Sequence, residues 1–303
     1  MRIFENPQID FRAKQKFATI LSGVLIILSL VSLVTRGLEA GIDFKGGIEI
    51  VVQTDEPVPV GDVRGNLTDA LGVSPEVKEY GSPEFLLVRT PVGGDLDSVQ
   101  NAVLNSINSA FPEANAQSEK RDSVSPRFAD DLKRGAIWAV LASLFVIFLY
   151  IMARFEWRFS VGAIAALVHD VIITLGIFSL WHGVLPFSLQ IDQAIIAALL
   201  TIVGYSLNDT VVIFDRIREF VNLFKTESFG PVVNRSINST LSRTLVTSGT
   251  TLIVVGVLFL FGGEVLKGFA FALIIGVIIG TYSSIFVASP VVIALRARVG
   301  KVA

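Results

Sequence analysis

One stretch of the chain, residues 203–219, reads VGYSLNDTVVIFDRIRE. It belongs to an otherwise apolar run over residues 188–214, and it places Asp209 inside that run. About 20 mostly apolar residues suffice to cross a bilayer as a helix. An ionisable residue within such a helix is rare unless it is paired or lines a cavity. The stretch therefore predicts a membrane helix that carries a carboxylate with a specific task.

Five further apolar runs of this kind predict six membrane helices in all. They cover residues 17–34, 135–153, 159–181, 238–261 and 268–295. The composition agrees, because 52% of the 303 residues are hydrophobic and 17% are charged, against roughly 25% charged in soluble domains. These values argue against a soluble or a disordered protein. The last run is unusually long for a span, which a tilted or projecting helix would accommodate.

Basic residues near the ends of the runs predict the orientation, since Lys and Arg are enriched in cytoplasmic loops. One side holds Arg2, Arg12, Lys14, Lys16, Arg154, Arg158, Arg216, Arg218, Lys225, Arg235, Arg296, Arg298 and Lys301, whereas the short loops opposite hold only Lys267. A cleaved signal peptide is the rival interpretation of the first run, which is long for one. We therefore expect cytoplasmic termini (1–16 and 296–303), a first helix (17–36), an extracytoplasmic domain (37–134) and a five-helix bundle (135–295).

The insert after the first run has the pattern of a small α+β domain. Strands are predicted at 48–53, 76–80, 85–89 and 116–123, and helices at 60–71 and 96–111, the latter with Asp95 as its N-cap. The resulting order, βαββαβ, is that of a ferredoxin-like split βαβ domain. Both helices would cover one face of the sheet and leave the other face free to meet a partner.

Asp209 and Arg243 are the main candidates for a functional site. Each lies about five residues, or about 7 Å along a helix, from the predicted cytoplasmic end of its run. They are thus expected at similar depth on helices adjacent in sequence, as an opposed pair. Protonation of Asp209 would release the arginine and favour a different helix packing. The alternative is a static ion pair that holds two helices together.

Other polar residues in the runs are candidates for a supporting polar path. Arg243, Thr247 and Thr250 share one helix face, and His169-Asp170 is central in the third run. The hydroxyl groups can relay protons through water, or they can simply join helices by hydrogen bonds. The His169-Asp170 pair can likewise be a second titrating pair or a hydrogen-bonded polar contact inside the bundle. The fourth run adds Tyr205, Ser206, Asn208 and Thr210.

Several function classes lack support in the sequence. The chain has no cysteine and two histidines, so neither thiolate nor histidine-rich metal sites are expected. A Gly-x4-Gly-Lys-Ser/Thr phosphate loop is absent, and we expect no cofactor and no enzymatic activity. The net charge of -2 gives no basic field for nucleic acid.

Four segments together resemble the SecF family of bacterial protein-export subunits, within the resistance-nodulation-division superfamily. They read GIDFKGG at 41–47, VGYSLNDTVVIFDRIRE at 203–219, RTLVTSGTT at 243–251 and GTYSSIFVASP at 280–290. The resemblance covers nearly everything outside the interior of the insert. The length of the insert is unlike that of SecD, whose insert is much larger.

The resemblance implies a role and a set of partners. A SecF-like chain would pair with SecD, dock on the SecYEG channel with its ATPase SecA, and use the ion gradient of the bacterial cytoplasmic membrane to draw unfolded preproteins outward. Asp209 and Arg243 match the residues implicated in ion coupling, with H⁺ or Na⁺ as the ion. Two alternatives stay open: a non-conducting scaffold that stabilises SecD and the channel, and half of a small-molecule exporter.

Overall fold

The computed structural model describes residues 7–91, 95–185 and 187–299, which fall into two compact units. A helical unit comprises Met1–Leu38, Ala139–Trp181 and Ala194–Ala303. A mixed unit comprises Glu39–Trp138 and His182–Gln193. The second segment of the mixed unit differs from the sequence prediction, which placed residues 188–193 at the start of a membrane helix.

Six helices among the described residues are long and apolar enough to cross a membrane. Five are continuous, and the sixth span, Leu266–Arg296, contains a π-helical turn, Ser284–Ala288, between two α-helices. The long helices are α1 Phe11–Thr35, α5 Pro126–Arg154, α6 Trp157–Trp181, α7 Gln193–Leu223, α8 Phe229–Phe261, α9 Glu264–Ser283 and α10 Ser289–Val299.

The number of spans was predicted correctly, but several helix ends were not. The helices α5, α7 and α8 continue into polar sequence, where apolar runs give no signal, and α7 begins at Gln193 rather than at Ser188. Of the residues used for the orientation, Arg2 and Lys301 lie outside the described residues, as does the side chain of Arg298.

Small residues allow the helices of the helical unit to approach closely. A methyl group at Gly276 would lie 2.2 Å from Cγ1 of Ile202, and one at Gly280 would lie 2.9 Å from Cβ of Ser206. A methyl group at Gly176 would lie 2.2 Å from Cβ of Ser29. The last span therefore makes a close contact with α7, which carries Asp209, and small residues at such a contact allow hydroxyl groups to approach one another.

The mixed unit contains a four-stranded antiparallel sheet with strand order β2-β3-β1-β4. Its elements follow the chain order α2, β1, α3, β2, β3, α4, β4. Their bounds are α2 Ile42–Lys45, β1 Gly47–Gln53, α3 Val60–Leu71, β2 Glu76–Tyr80, β3 Ser82–Thr90, α4 Leu96–Ala110 and β4 Gln117–Val124. The predicted strands and helices are confirmed, including the Asp95 cap, whose side chain accepts from the Ser98 amide. The short helix α2 was not predicted.

The two faces of the sheet differ in a way that the sequence did not show. Ile50 and Val88 belong to a core with residues of α3 and α4. Val51, Leu87 and Arg89 point to the other face, yet they are also buried. The guanidinium of Arg89 contacts Gln190. The prediction of a free face is therefore wrong at Arg89, because the segment after α6 reaches it.

Candidate functional site

Asp170, on α6, is the centre of a buried polar cluster in the helical unit. Its Oδ2 accepts hydrogen bonds from Ser206 Oγ of α7 at 2.6 Å and from Ser283 Oγ of α9 at 2.8 Å. Its Oδ1 lies 2.9 Å from Nδ1 of His169. All four side chains are buried. The carboxyl group of Asp170 therefore joins α6, α7 and α9 through hydrogen bonds.

The cluster continues from His169 to the first helix. Nε2 of His169 lies 3.1 Å from Ser22 Oγ of α1. Ser22 Oγ lies 2.9 Å from the Tyr282 hydroxyl, which donates to the carbonyl of Ala18 at 2.7 Å. We call the residues Ser22, His169, Asp170, Ser206, Tyr282 and Ser283 the Asp170 network.

The hydrogen bonds of the Asp170 network have a defined direction from Tyr282 to His169. Tyr282 uses its hydrogen on the Ala18 carbonyl, so its oxygen accepts from Ser22. Ser22 can then only accept from Nε2 of His169, and Nδ1 of His169 shares a hydrogen with Asp170. His169 therefore links the hydroxyl groups of Ser22 and Tyr282 to the carboxyl group of Asp170.

Asp209 lies one turn beyond Ser206 on the same face of α7, since three residues advance a helix by about 4.5 Å. It is 2% exposed. Its Oδ2 receives a long hydrogen bond of 3.5 Å from Ser248 Oγ of α8, and Ser248 Oγ lies 2.7 Å from Oγ1 of Thr281 on α9. The two carboxyl groups are both buried, but Asp209 has the weaker hydrogen bonds, whereas those of Asp170 are 2.6–2.9 Å long.

The predicted opposed ion pair between Asp209 and Arg243 is not formed. Arg243 is exposed and makes no ion pair with a carboxylate of the described residues, although it still acts on Asp209 electrostatically over a longer distance. The reason is the rotation of α8. Positions 243 and 248 are about 140° apart around a helix with 100° per residue. Because Ser248 faces Asp209, Arg243 points elsewhere.

The rest of the predicted stripe on α8 also faces away from Asp209. The hydroxyl of Thr247 donates to the backbone carbonyl of Arg243 in the same helix. The hydroxyl of Thr250 donates to the backbone carbonyls of Val246 and Thr247. Arg243 and Thr247 instead line a cavity of about 1090 Å³, together with Asp10, Arg216 and Arg235. The stripe is therefore accessible to water or to another chain.

Three predicted residues of α7 have different surroundings. Ser206 belongs to the Asp170 network, whereas Asn208 is exposed. The hydroxyl oxygens of Tyr205 and Thr210 are buried without a hydrogen-bond partner among the described residues. The structure thus brings Ser206, His169 and Asp170 together, and it places Tyr205 and Thr210 nearby on the same helix.

Sequence reasoning missed the hydroxyl groups that contact the two aspartates. Ser22, Ser248, Thr281, Tyr282 and Ser283 each contribute a side chain to one of the two clusters. The sequence holds a signal for some of them, since Gly276, Gly280, Ser283 and Ser284 recur at helical spacing in the last span, but such spacing indicates only close packing. Which hydroxyl meets which carboxylate depends on helix rotation, which a single sequence does not show.

The profile described as "Protein export membrane protein SecD/SecF, C-terminal" matches residues 103–298, and the "SecD/SecF GG Motif" profile matches residues 31–58. The chain belongs to the SecD/SecF family. Similar relatives named "Protein translocase subunit SecF" occur in Rhodothermus marinus, with 63% identity over 298 residues, and in Desulfurispirillum indicum, with 43% identity over 299 residues. These alignments cover 98% and 96% of this chain, and 96% and 92% of the relatives.

Two solved structures extend the comparison of this SecD/SecF family member to three dimensions. A crystal structure of SecDF from Thermus thermophilus, a translocon-associated membrane protein, matches with a TM-score of 0.84 at 36% identity over 96% of this chain. A second SecDF structure, in a super-membrane-facing form, matches with a TM-score of 0.72 at 35% identity over 98% of this chain. This chain spans 39% and 40% of those chains. With its six apolar helices, the family member is a multi-pass membrane protein.

Proposed function

We propose that this chain is the SecF subunit of a protein translocase and that, with SecD, it uses the transmembrane ion gradient to promote preprotein translocation across the bacterial cytoplasmic membrane. The observation that carries the proposal is the burial of two carboxyl groups among the membrane helices, Asp170 on α6 and Asp209 on α7. They are connected through α7, because Ser206, one turn before Asp209, donates to Asp170. Intramembrane ionisable groups are costly, and they commonly mark ion pathways.

The two aspartates suit different tasks. Asp170 is held by three hydrogen-bonding groups, which are His169, Ser206 and Ser283. Asp209 is held more loosely, by a long hydrogen bond from Ser248, by Thr281 and by a distant arginine. We infer that a change in its charge alters the packing of the surrounding helices more readily. We therefore assign ion coupling to Asp209 with Arg243, and a supporting role to the Asp170 network. The coupling ion is H⁺ or Na⁺.

The energy available from one ion is sufficient for a conformational change. One charge that crosses the membrane supplies about 2.3 kcal/mol per 100 mV. Since about 1.36 kcal/mol corresponds to a factor of ten, this shifts a two-state equilibrium about fifty-fold. Loss of charge at Asp209 would remove the cost of burying that charge and favour a different packing of α7 against α8.

The exposed polar stripe on α8 supports a partner within the membrane. Arg243 and Asn208 are exposed on helices that are otherwise apolar, and a charged group facing lipid is costly. We propose that SecD covers this face and completes the ion path. The SecDF chains that this structure resembles contain a further part beyond the matched region, which is consistent with such a partner.

The remaining assignments follow from the family and from the charge distribution. We propose that both termini are cytoplasmic, that the mixed unit is extracytoplasmic, and that the SecD complex acts with SecYEG and SecA on unfolded preproteins. We also propose that the mixed unit is ferredoxin-like, since the βαββαβ order combined with strand order β2-β3-β1-β4 supports a split βαβ arrangement.

The scaffold alternative is favoured by one observation. The Asp170 network joins α1, α6, α7 and α9 through a continuous set of buried hydrogen bonds. A network of this kind also suits a purely structural role. In that case Asp209 would hold helices together, and ion coupling would reside in SecD.

Ion flux across vesicles that contain this chain and SecD tests the proposal. A membrane potential is applied with either a pH or a Na⁺ gradient, and luminal dyes report each ion. We expect Asp209→Asn to reduce the flux to that of protein-free vesicles. Asp215→Asn is the matched control, because Asp215 lies on the same helix but its side chain is 45% exposed and contacts Arg154. Full flux through an assembled Asp209→Asn complex would contradict the proposal and support the scaffold.

A further inference from the structure

The connection between α6 and α7, residues 182–193, is built into the mixed unit. Its backbone pairs with the chain just after α1: the Ile191 amide donates to the Glu39 carbonyl, and the Gly41 amide donates to the Ile191 carbonyl, both at 2.7 Å. Ala40 and Ile191 form a parallel bridge. The Gln193 amide also donates to Asp43 Oδ2 at 2.9 Å. We call residues 182–193 the connector.

The side chain of Gln190 joins the connector to the sheet. Its Oε1 accepts from the Arg89 guanidinium of β3 at 2.5 Å, and its Nε2 donates to Glu39 Oε1 at 3.0 Å. An amide is suited to this place because it donates and accepts at once, between a cation and an anion. All three residues are nearly buried. The exposed fraction is 8% for Gln190, 7% for the side chain of Arg89 and 8% for the side chain of Glu39.

A network of charges surrounds this amide and fixes both of its partners. Glu39 also contacts Lys78 Nζ at 2.6 Å and His182 Nδ1 at 2.5 Å. Arg89 contacts Glu49 and, at 3.5 Å, Glu76. Each charge is thus paired, and breaking a buried pair leaves an uncompensated charge. The connector is therefore attached by several mutually dependent contacts.

The electrostatics of the sheet agree with a tightly held network. Burial alone raises the pKa of Glu76, but its hydrogen bonds with Glu39 and Lys78 and the charges of Lys78 and Arg89 outweigh this and lower it to about 2. The same carboxylates raise the pKa of Lys78 against the effect of burial. The charges of Glu76 and Lys78 therefore stabilise each other.

The chain itself links this attachment to the candidate site. The helix α6, which carries Asp170, ends at Trp181, and α7, which carries Asp209, begins at Gln193. Both ends of the connector thus continue directly into the helices whose packing the site controls. A movement of α6 or α7 has to move the connector or bend the chain at its ends.

We propose that the connector, held by Gln190 between Arg89 and Glu39, stays attached to the sheet throughout the transport cycle and transmits movements of α6 and α7 to the extracytoplasmic domain. Gln190 is thus a positioning residue for force transmission, and it touches neither ion nor preprotein in this role. The inference rests on the proposed function, since it assumes an ion-driven change at Asp209.

A disulfide across the bridge tests whether the attachment persists. The chain has no cysteine, so Ala40→Cys with Ile191→Cys introduces the only pair. Paired strands are about 4.8 Å apart, within the Cα range that a disulfide spans. We expect the oxidised protein, assembled with SecD, to retain gradient-dependent export at the level of the single-cysteine variants. Loss of that export on oxidation, restored by a reductant, would overturn the proposal.

Substitutions that change the charge at positions 190 and 39 test whether the side chain of Gln190 attaches the connector to the sheet. The variant Gln190→Glu places a second carboxylate against that of Glu39, where Gln190 donates a hydrogen bond. We expect the Ile191 amide to exchange its hydrogen about tenfold faster, because one unsatisfied buried polar group has an effect of this size. Gradient-dependent export should fall, while complex assembly is unchanged. The double variant Glu39→Gln with Gln190→Glu interchanges acid and amide and should restore both readouts. Faster exchange with unaltered export would contradict force transmission, and unaltered exchange would contradict the attachment.

Failure of the proposed function gives a different result. If the unsubstituted complex shows no gradient-dependent export, the ion-coupled function is wrong, whatever the connector does. Hydrogen exchange at Ile191 and its recovery in the double variant then still report whether Gln190 attaches the connector to the sheet.

Discussion

Substitution of Gly47 by alanine should destabilise the mixed unit at the start of its central strand. Gly47 has φ +118°, and a methyl group there would lie 2.5 Å from the carbonyl oxygen of Thr90. The conformation alone costs an L-residue about 1–3 kcal/mol. Because the overlapping atom belongs to the backbone of β3, it cannot move aside by a change of side-chain rotamer. The overlap is relieved only if β1 separates from β3. Losing one hydrogen bond adds about 1 kcal/mol, which gives about 3 kcal/mol in total.

Hydrogen exchange of the full chain in detergent measures this effect. Since about 1.36 kcal/mol is a factor of ten, amides of 47–53 should exchange about 150-fold faster in Gly47→Ala if they exchange by opening of the unit. Gly65→Ala, in α3, is the control, because Gly65 has no heavy atom within 4 Å of an added methyl group. Removing a glycine from a helix stabilises by roughly 0.5–1 kcal/mol, so exchange should slow. Unchanged exchange of β1 in Gly47→Ala would refute the reasoning.

Three further predictions concern other parts of the structure. Because the folded pKa of Glu76 is about 2, below the usual 4.5, its carboxylate stabilises the mixed unit above about pH 4.5, and this is lost as the pH falls towards 2. This contribution to the free energy of unfolding is about 2 kcal/mol when screening by solvent is taken into account. Glu76→Gln should remove it, so the resistance of the variant to pepsin should depend less on pH between pH 5 and 2. Gly276→Ala should lower the melting temperature in detergent, because its methyl group overlaps Ile202, and overpacking costs about 1–3 kcal/mol. Asn238→Leu removes two hydrogen bonds to the backbone of Ile9, so trypsin should cleave the N-terminal segment faster.

Each of these predictions has a control in the same chain. Glu56→Gln changes an exposed carboxylate and should leave the acid dependence intact. Gly256→Ala, on α8, adds a methyl group with no heavy atom within 4 Å and should not lower the melting temperature. Asn101→Leu changes an exposed asparagine of α4 and should leave N-terminal cleavage unchanged. An equal effect of variant and control would contradict the corresponding contact.

The spans and the mixed unit were predictable because their patterns are local. Length and hydropathy suffice for a membrane helix, and the strands and helices of the insert follow from alternation, helical spacing and the Asp95 cap. The π-helical turn at Ser284–Ala288 and the connector were not predictable. The connector depends on a pairing between Glu39–Gly41 and Ile191 that is distant in sequence.

The candidate site was predictable in its acids but not in their partners. Asp170 and Asp209 stand out because carboxylates are costly in a membrane. Their hydrogen-bond donors are serines and threonines, which are common in spans and carry no signal of their own. The expected contact with Arg243 failed, because depth along two helices does not fix rotation about their axes. The close approach of α9 to α7 likewise depends on the absence of side chains at Gly276 and Gly280, which lie against Ile202 and Ser206.

Export completion with and without an ion gradient tests the central claim most directly. Vesicles contain the channel, its ATPase, SecD and this chain, and the assembled complex is quantified in the same samples. For Asp209→Asn, we expect normal assembly and loss of the gradient-dependent part of export, with Asp215→Asn unaffected. Gradient-dependent export that survives in a fully assembled Asp209→Asn complex would contradict ion coupling through Asp209.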